Sequence, residues 1–401
     1  MKYVIVLGDG MADEPIEALG GKTPLAFAKT PMIDQLAQTG EVGLAKTIPT
    51  GMKPGSDTAN LAVLGYDPEK YYSGRSPLEA LSIGVPMQAT DIALRCNTVT
   101  LSDEPGVPYA ERTIIDHSAD EISTADAAQL IEAVRPVFEN ETYQFYVGTS
   151  YRHCLIWAGG VVQDITPPHD ILGKVIGDYL PEDLKLRAMM EQSFAILDNH
   201  PLNVARAKAG KNKANSLWFW GAGTKPALSS FTEKTGKRGA MISAVDLLKG
   251  IAVGAGMQVL EVEGATGGLT TNYEGKAAAA AKALLEDGND FAYIHVEAPD
   301  EMGHQGSVEN KVKAIEYLDG RVIRPLYDAL TASGEDFRML ILPDHPTPIR
   351  LRTHTGDPVP YLLYDSTAKL GSGVLYNEAS AQQTGVYIEK GYTLIDHLFE
   401  R

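Results

Sequence analysis

Four short apolar segments constrain the fold of this chain more than any other feature of its sequence. Each is rich in Val, Ile and Leu and runs into small or acidic residues: YVIVLGDG from Tyr3, MQVLEVEG from Met257, FAYIHVEAPD from Phe291 and RMLILPDH from Arg338. Between them lie stretches with helical periodicity, including residues 23–40, 274–287 and 308–332. Short buried strands that alternate with helices of this length predict an α/β fold, with a mainly parallel sheet covered by helices on both faces.

The middle of the chain has a different pattern. From about residue 91 to 215 the strand-like segments are shorter, loops such as DITPPHD separate them, and one helix is predicted from Pro181 to about Leu197. A chain of 401 residues also exceeds what one hydrophobic core usually organises. We therefore predict a smaller α/β domain at residues 87–224, inserted into a discontinuous first domain formed by residues 1–86 and 225–401.

The formal net charge of -17 bears on the partners of the protein. Nucleic acid and anionic membranes both need clustered Lys and Arg, so an acidic surface argues against either partner. The charge does not exclude an anionic small-molecule substrate, because a local pocket of cationic side chains and metal ions can outweigh distant surface charge. No feature of the sequence indicates an oligomeric state.

Two further features bear on the compartment. The apolar run in MKYVIVLGDG is only about six residues long and lacks a small-residue cleavage site, which favours a buried strand over a signal peptide. No run approaches the ~18 apolar residues of a membrane helix. The two cysteines, Cys96 and Cys154, do not form a C-x-x-C motif, which argues against a disulfide framework or a cysteine-based zinc site. We expect a cytoplasmic protein.

Acidic and histidine residues fall at the ends of the predicted strands. Asp9 directly follows the first strand, Asp300 follows the FAYIHVEA strand, and Asp344 and His345 follow RMLIL. Ligands of open α/β sheets bind outside the carboxyl ends of the strands. Three separate strands are therefore expected to bring carboxylates to the same edge of the sheet.

The spacing of these residues indicates a metal centre. Asp300 and His304 lie four residues apart in PDEMGHQG, so on a helix or tight turn both side chains project from one side and can hold one cation. Asp344 and His345 are adjacent and are expected to point apart, which would let them serve different positions of a two-metal cluster. His354 follows in the polar loop RTHTGDPVPY. Divalent ions such as Mn²⁺, Mg²⁺ or Zn²⁺ accept this mixture of carboxylate and imidazole.

Ser56, in PTGMKPGSDTANLAVLGY, is the candidate nucleophile. Pro54 and Gly55 interrupt the chain, and the following segment predicts a helix with Ser56 among its first residues. Backbone N–H groups and the helix dipole favour an alkoxide or phosphate there, and a nearby divalent ion would lower the pKa of the hydroxyl. Serine at such a position is more often only a helix cap. The order of Ser56 relative to the acidic and histidine residues is what favours catalysis.

That order of residues resembles the metal-site pattern of the alkaline phosphatase superfamily. The chain is most similar to the archaeal-type branch of the 2,3-bisphosphoglycerate-independent phosphoglycerate mutases. The matching stretches run from the first strand nearly to the C-terminus, with the middle domain least distinctive: VIVLGDGMAD, PGSDTANLAVLGYDP, SGRSPLEA, LWFWGAG, ISAVDLLKGIA, GATGGLTTNYEGKA, APDEMGHQG and LPDHPTPIRLRTHTGDPVP. The resemblance implies an alkaline-phosphatase-like sheet domain with an inserted substrate-binding cap.

The resemblance also implies two divalent ions, commonly manganese or magnesium, with zinc or cobalt as alternatives, and no 2,3-bisphosphoglycerate. One ion would be held by Asp300, His304 and His354. The other would be held by Asp9, Asp344 and His345, together with Ser56 Oγ. The activity implied is that of an isomerase of glycolysis and gluconeogenesis. Such an enzyme converts 3-phosphoglycerate to 2-phosphoglycerate through a phosphoserine intermediate, while the cap excludes water.

A cap that binds a three-carbon acid phosphate should present cationic and hydrogen-bonding groups. The candidate substrate-binding residues are Arg75 in SGRSPLEA, His117 in IIDHSAD, Arg152 and His153 in SYRHCLIW, and Lys249 in AVDLLKG. His117 or His153 could also transfer protons to the leaving oxygen. The remaining histidines are interpreted as structural or core residues: His169, His200, His295 and His397.

Three alternatives remain open at this point. The same metal site could serve a hydrolase of phosphomonoesters or phosphonates, although SGRSPLEA and LWFWGAG favour the mutase. A phosphotransferase with another acceptor, such as the proposed homoserine kinases that resemble this branch, would need a nucleotide site, and neither a P-loop nor a kinase glycine loop occurs in the sequence. A non-catalytic, metal-stabilised binding module would need the metal ligands but no hydroxyl at position 56.

Overall fold

The computed structural model describes residues 1–371 and 373–400 of the chain. Residues 372 and 401, which the predicted first domain includes, lie outside the described residues. The chain forms two compact units, one made of Met1–Tyr72 with Leu228–Arg401 and the other of Ser73–Ala227. Within the described residues no helix is both long enough and apolar enough to span a bilayer.

Most of the strands are short, as the sequence pattern predicts. In chain order they are β1 (Lys2–Gly8), β2 (Glu41–Ala45), β3 (Asp91–Leu101), β4 (Ile114–Asp116), β5 (Tyr143–Tyr146), β6 (Arg152–Ala158), β7 (Ser216–Thr224), β8 (Gly239–Ile242), β9 (Gln258–Leu260), β10 (Phe291–Val296), β11 (Phe337–Leu342), β12 (Val359–Asp365) and β13 (Tyr387–Ile388).

The helices connect these strands. They are α1 (Pro24–Phe27), α2 (Pro31–Ala37), α3 (Ser56–Val63), α4 (Pro68–Tyr71), α5 (Arg75–Ser82), α6 (Thr124–Phe138), α7 (Leu184–Leu197), α8 (Pro201–Lys208), α9 (Phe231–Thr235), α10 (Asp246–Gly254), α11 (Tyr273–Leu285), α12 (Ala298–Gln305), α13 (Val308–Tyr317), α14 (Arg324–Ser333), α15 (Glu378–Thr384) and α16 (Leu394–Glu400). A π-helical segment, Leu318–Ile323, joins α13 to α14.

The first unit is built on a sheet whose strands, among the described residues, lie in the order β13-β2-β12-β11-β1-β10-β8-β9. The central strand β1 runs parallel to β10 and β11 on its two sides, and β12 is antiparallel to both β11 and β2. Val4 and Val6 pack with α2, α11 and α14 on one face of β1. Ile5 and Leu7 are fully buried on the other face. The predicted α/β class, with a mainly parallel sheet covered on both faces, is confirmed.

The parallel strands bring the acidic residues to one edge of this sheet. Strands β10, β1 and β11 are neighbours in that order, so their carboxyl ends lie side by side. Asp9 follows β1, Asp300 lies in the first turn of α12 after β10, and Asp344 follows β11. The edge predicted from sequence is the edge at which these side chains lie.

The second unit is an antiparallel sheet, in which β4, β3, β6 and β5 lie in that order and β7 also pairs with β3. Helices α6 and α7 contribute residues to the core of this unit, among them Leu130 and Met190. Cys96 and Cys154 are free and buried on adjacent strands. Cys96 pairs with His153 and Cys154 pairs with Arg95, so the two thiols lie on opposite faces of the sheet.

The predicted domain boundaries differ from the division seen in the structure, because helix α5 belongs to the second unit. Ala80 and Val85 pack against Ala93 and Ile156 of that unit. The Ser76 hydroxyl also donates a hydrogen bond to the carbonyl oxygen of Gly221. The apolar periodicity of α5 shows that the helix buries one face, but it does not show which sheet covers that face. The boundary predicted after residue 86 therefore lies later than the division after Tyr72.

Several other elements differ from those predicted from the sequence. MQVLEVEG was predicted as a buried strand, but only Gln258–Leu260 is a strand, and it lies at the edge of the sheet where Gln258 is exposed. The helix predicted over 23–40 is two helices, because Pro31 cannot continue α1 and instead begins α2. The predicted strands omitted β8, whose four residues are too few for a clear pattern.

Candidate active site and metal centre

Ser56 is the first residue of α3, and its hydroxyl does not cap the helix. Gly55 occupies the cap position in an extended conformation and supplies no side-chain cap. The Ser56 Oγ instead lies 3.0 Å from Nε2 of His345. Asn60, one turn later, donates from Nδ2 to the Ser56 carbonyl at 2.8 Å. The hydroxyl therefore faces the acidic and histidine cluster, at the end of the helix where N–H groups favour an anion.

Asp300, His304 and His354 form the first candidate metal site. Helix α12 places Asp300 and His304 one turn apart on the same side, as their spacing predicted. The Nε2 atom of His304 lies 3.1 Å from Asp300 Oδ2, and that of His354 lies 3.4 Å from Asp300 Oδ1. The two Nε2 atoms are 3.0 Å apart. One carboxylate and two imidazoles thus converge on a single point.

The protonation of this first group is set by its own contacts. Nδ1 of His304 lies 2.9 Å from the carbonyl oxygen of Arg352, which accepts its proton. The hydrogen bond to Asp300 raises the pKa of His304 to about 9. Burial by itself would raise the pKa of Asp300, but the hydrogen bonds of His304 and His354 and the charge of His345 hold it well below its usual value. A metal ion at Nε2 would replace the proton that His304 shares with Asp300.

The second candidate site centres on His345. Its Nε2 atom lies 3.5 Å from Asp9 Oδ1 and 3.4 Å from Asp344 Oδ2. The ligand atoms of Asp9, Asp300 and His345 also lie close enough to share one ion, so Asp300 belongs to both groups. This differs from the division implied by the family resemblance, which assigned Asp300 to the first ion alone.

The expectation that Asp344 and His345 point apart is wrong. The backbone N–H of His345 donates to Asp344 Oδ1 at 2.9 Å, which folds the carboxylate back toward the following ring. Gly10 N donates to the same oxygen at 3.2 Å, and Asn60 Nδ2 donates to Asp344 Oδ2 at 2.9 Å. The donors come from the loop after β11, from the loop after β1 and from α3, and strand alternation does not predict them.

The surroundings of Asp9 fit a bound cation. Its Oδ2 atom lies 2.8 Å from His295 Nε2, while Oδ1 is buried and has no hydrogen-bond partner among the described residues. Burial, together with the negative charges of Asp344, Asp300 and Glu297, holds the pKa of Asp9 well above its ordinary value. Buried carboxylates in such a cluster need a compensating positive charge. Oxygen and imidazole donors of this kind suit Mn²⁺, Mg²⁺ or Zn²⁺.

Three residues that sequence reasoning missed hold this centre together. Asn60 connects Ser56 to Asp344, and its own Oδ1 accepts a hydrogen bond from Tyr293. Thr347 donates from its hydroxyl to Asp300 Oδ1. His295, interpreted as a core residue, contacts Asp9. The sequence could have indicated a role for Asn60, because it lies four residues after Ser56 and therefore on the same face of the predicted helix.

The predicted substrate-binding residues fall in both units. Lys249 lies on α10 in the first unit, where its Nζ forms an ion pair with Glu261 at 2.8 Å. Arg75, at the start of α5 in the second unit, pairs with Glu79 at 2.8 Å. Both cations are therefore partly neutralised by neighbouring carboxylates.

The other three predicted residues lie in the second unit. His117 packs its ring edge against Tyr151, at 5.6 Å between centroids, and the Arg152 guanidinium lies 5.2 Å from that same ring. His169, interpreted as structural, also contacts the His117 ring. His153 is buried, and burial lowers its pKa to about 4, so it carries no charge at neutral pH. The structure thus groups His117 and Arg152 around one tyrosine.

The chain is similar to known proteins over its whole length. A family model described as 2,3-bisphosphoglycerate-independent phosphoglycerate mutase matches residues 37–203. The chain is 48% identical over 406 residues to a probable 2,3-bisphosphoglycerate-independent phosphoglycerate mutase of Geobacter sulfurreducens, with both chains covered in full. It is 49% identical to a protein of the same name from Methanosarcina acetivorans, with 99% of each chain covered.

Solved structures agree with these similarities. The PH0037 protein of Pyrococcus horikoshii matches with a TM-score of 0.81 and 29% identity, over 99% of this chain and 96% of the other. A cofactor-independent phosphoglycerate mutase of Thermoplasma acidophilum matches with a TM-score of 0.67 and 28% identity, over 99% of each chain. The similarity therefore extends over both units.

Proposed function

The chain belongs to the 2,3-bisphosphoglycerate-independent phosphoglycerate mutases, an isomerase family, and we propose that Ser56 is the nucleophile through which it interconverts 3-phosphoglycerate and 2-phosphoglycerate. The observation that carries the proposal is the placement of Ser56 Oγ, 3.0 Å from His345 Nε2 at the start of α3. A hydroxyl that faces a cluster of carboxylates and imidazoles supports a role for Ser56 as the nucleophile.

Two groups of side chains would hold divalent ions, with Mn²⁺ or Mg²⁺ as the first choice and Zn²⁺ or Co²⁺ as alternatives. The proposed ligands are Asp300, His304 and His354 for one ion, and Asp9, Asp344, His345 and Ser56 for the other. Bound ions would supply positive charge that lowers the pKa of the Ser56 hydroxyl and stabilises the transferring phosphoryl group. Because Asp300 also lies within reach of Asp9 and His345, it is the residue that could serve both ions.

The reaction then runs through this chain's own residues. Ser56 Oγ attacks the phosphorus of 3-phosphoglycerate, so that the Oγ–P bond forms while the bond from phosphorus to the C3 oxygen breaks. In this half the Ser56 hydroxyl loses its proton and the C3 oxygen gains one; in the second half the C2 hydroxyl loses a proton and Ser56 Oγ regains one, so no net proton is exchanged. Glycerate stays bound and reorients, and its C2 hydroxyl attacks the phosphoserine. This releases Ser56 and gives 2-phosphoglycerate. No water or nucleotide is consumed, and the N–H groups at the start of α3 favour the phosphoryl charge throughout.

Substrate binding by Arg75, His117, Arg152, His153 and Lys249 stays a prediction. Their chemistry differs in ways that mutation can test. His117 and Arg152 flank the same tyrosine, whereas Arg75 and Lys249 each pair with a carboxylate. His153 is buried and neutral, so we expect it to act as a hydrogen-bonding group and not as a cation. Alanine at a residue that contacts substrate should raise KM or lower kcat without changing metal affinity.

The assay that tests the function follows both possible products at once. The protein is incubated with 3-phosphoglycerate and Mn²⁺ but without 2,3-bisphosphoglycerate, while enolase coupling reports 2-phosphoglycerate and a second assay reports free phosphate. We expect metal-dependent formation of 2-phosphoglycerate, abolished by EDTA, without matching phosphate release. Free phosphate as the main product would instead assign the site to a phosphomonoester hydrolase.

A further inference from the structure

His295 is fully buried near the end of β10 and links the sheet to Asp9. Its Nε2 atom lies 2.8 Å from Asp9 Oδ2, and its Nδ1 atom lies 3.1 Å from the hydroxyl oxygen of Ser243. That hydroxyl oxygen in turn accepts the backbone N–H of Val245 at 3.0 Å. A continuous chain of hydrogen bonds therefore runs from the backbone after β8 to a carboxylate of the metal centre.

The chemistry of the partners fixes the direction of these bonds. A carboxylate that binds a metal ion is ionised and can only accept, so with an ion at Asp9 the proton of the His295 ring lies on Nε2 and is donated to Asp9. Nδ1 is then an acceptor, and the Ser243 hydroxyl can donate to it because its oxygen already receives the Val245 N–H. With both nitrogens bonded, the ring has one orientation and one tautomer.

We infer that His295 is a positioning residue, which holds Asp9 by Oδ2 and leaves Oδ1 facing the metal centre. This inference rests on the proposed metal site and assigns His295 no contact with substrate or ion. Asp9 Oδ1 has no hydrogen-bond partner among the described residues and lies 3.5 Å from His345 Nε2, on the side of the carboxylate where an ion would bind. Outer partners of this kind orient the ligands of metal sites.

A purely structural role for the ring is less consistent with its surroundings. The backbone of β10 is already held by parallel pairing with β1 and β8 on its two sides. The carbonyl oxygen of His295 also accepts a hydrogen bond from the buried Nζ of Lys276 at 2.9 Å. The position of the strand is therefore fixed by its backbone hydrogen bonds, and the contact that depends on the His295 ring is the one to Asp9.

Two substitutions at this position separate the roles. In His295→Gln the side-chain amide reaches about as far as Nε2 and can still donate to Asp9. In His295→Asn the amide ends near the position of Nδ1 and cannot reach the carboxylate. Ile294→Val is the matched control, since it removes one methyl group from the opposite face of the same strand. Ser243→Ala removes the bond to Nδ1 and the bond from the Val245 N–H, but leaves the bond from His295 to Asp9 in place.

The measurement is calorimetric titration of metal-free protein with Mn²⁺. We expect His295→Asn to weaken the affinity of one of the two ions by about 10–100-fold while the other is unchanged. His295→Gln should recover most of that loss, Ser243→Ala should lose less than His295→Asn, and Ile294→Val should bind as wild type does. Unchanged Mn²⁺ affinity in His295→Asn, or equal losses in the Asn and Gln variants, would overturn the inference. Wild-type protein that binds no Mn²⁺ would instead overturn the proposed metal centre on which it rests.

Discussion

The Nε2 atoms of His304 and His354 lie 3.0 Å apart, although fifty residues separate them in the chain. His304 is on α12 and His354 is in the loop between β11 and β12. With Asp300 beside both of them, the pair forms a group of three donors that could hold a metal ion. His304→Ala or His354→Ala should weaken Mn²⁺ affinity by at least about 10–100-fold, as measured by equilibrium dialysis.

The control for these two variants is His200→Ala. His200 caps α8 in the second unit by accepting the N–H of Leu202, far from any predicted ligand in the sequence. It should leave Mn²⁺ affinity unchanged. A metal affinity that is the same in His304→Ala, His354→Ala and His200→Ala would contradict the assignment of the first site.

Gly10 is expected to tolerate no side chain, because it adopts a φ of +59° and its Cβ would lie 2.5 Å from Asp300 Oδ1 and 2.5 Å from the Thr347 hydroxyl. Gly10→Ala should therefore lower the free energy of unfolding and also displace Asp300. Gly20 has a similar φ of +67° but nothing within 4 Å of a built Cβ. Gly20→Ala should show only the backbone cost of about 1–2 kcal/mol. Both variants are measured by urea unfolding and by Mn²⁺ titration. If they lose the same free energy of unfolding and bind Mn²⁺ with the same affinity, the predicted clash at Gly10 is contradicted.

The buried ion pair of Lys311 with Asp13 supports the loop that carries Thr347. Lys311 Nζ lies 2.8 Å from Asp13 Oδ2 and donates to the Thr347 carbonyl at 2.8 Å. Lys311→Met leaves the Asp13 charge buried and uncompensated, which should cost about 3–5 kcal/mol in urea unfolding. Lys311→Met combined with Asp13→Leu should cost less than the sum of the two single variants. Additive losses would show that the pair is not coupled.

Lys276 should make stability depend on alkaline pH. Burial lowers the pKa of Lys276 to about 8, from 10.5 in the unfolded chain. Between these values the unfolded state binds the proton that the folded state has lost, so the free energy of unfolding should rise with pH from about 8 to 10.5. The slope attributable to Lys276 is at most about 1.4 kcal/mol per pH unit. The measurement is the difference between wild type and Lys276→Met in urea across this range, and a difference independent of pH would contradict the shift.

The parts of the site that sequence could predict are those set by regular geometry. Asp9, Asp300 and Asp344 follow neighbouring parallel strands, whose carboxyl ends must share an edge, and the spacing of Asp300 and His304 is one helical turn. These relationships follow from strand and helix periodicity, which the sequence displays directly.

The remaining features depend on contacts between segments that are distant in the chain. The orientation of Asp344 toward His345 arises from the backbone N–H groups of His345 and Gly10, which lie in the loops after β11 and β1. A histidine inside an apolar strand has the same sequence pattern whether or not its ring bonds to Asp9, so the buried position of His295 could be predicted and its bond to Asp9 could not. Helix α5 was assigned to the wrong unit for the same reason, because its periodicity does not identify the sheet that it covers.

The central claim is that Ser56 carries the phosphoryl group during turnover, and trapping that intermediate tests it most directly. Protein incubated with 3-phosphoglycerate and Mn²⁺ is quenched in acid, digested and sequenced by mass spectrometry, with Ser56→Ala and EDTA-treated protein alongside. We predict one phosphoryl group on Ser56 in the Mn²⁺ sample, none after EDTA, and a loss of mutase activity of at least about a thousandfold in Ser56→Ala. Mutase turnover that persists in Ser56→Ala, or a phosphoryl group found on another residue, would contradict the account.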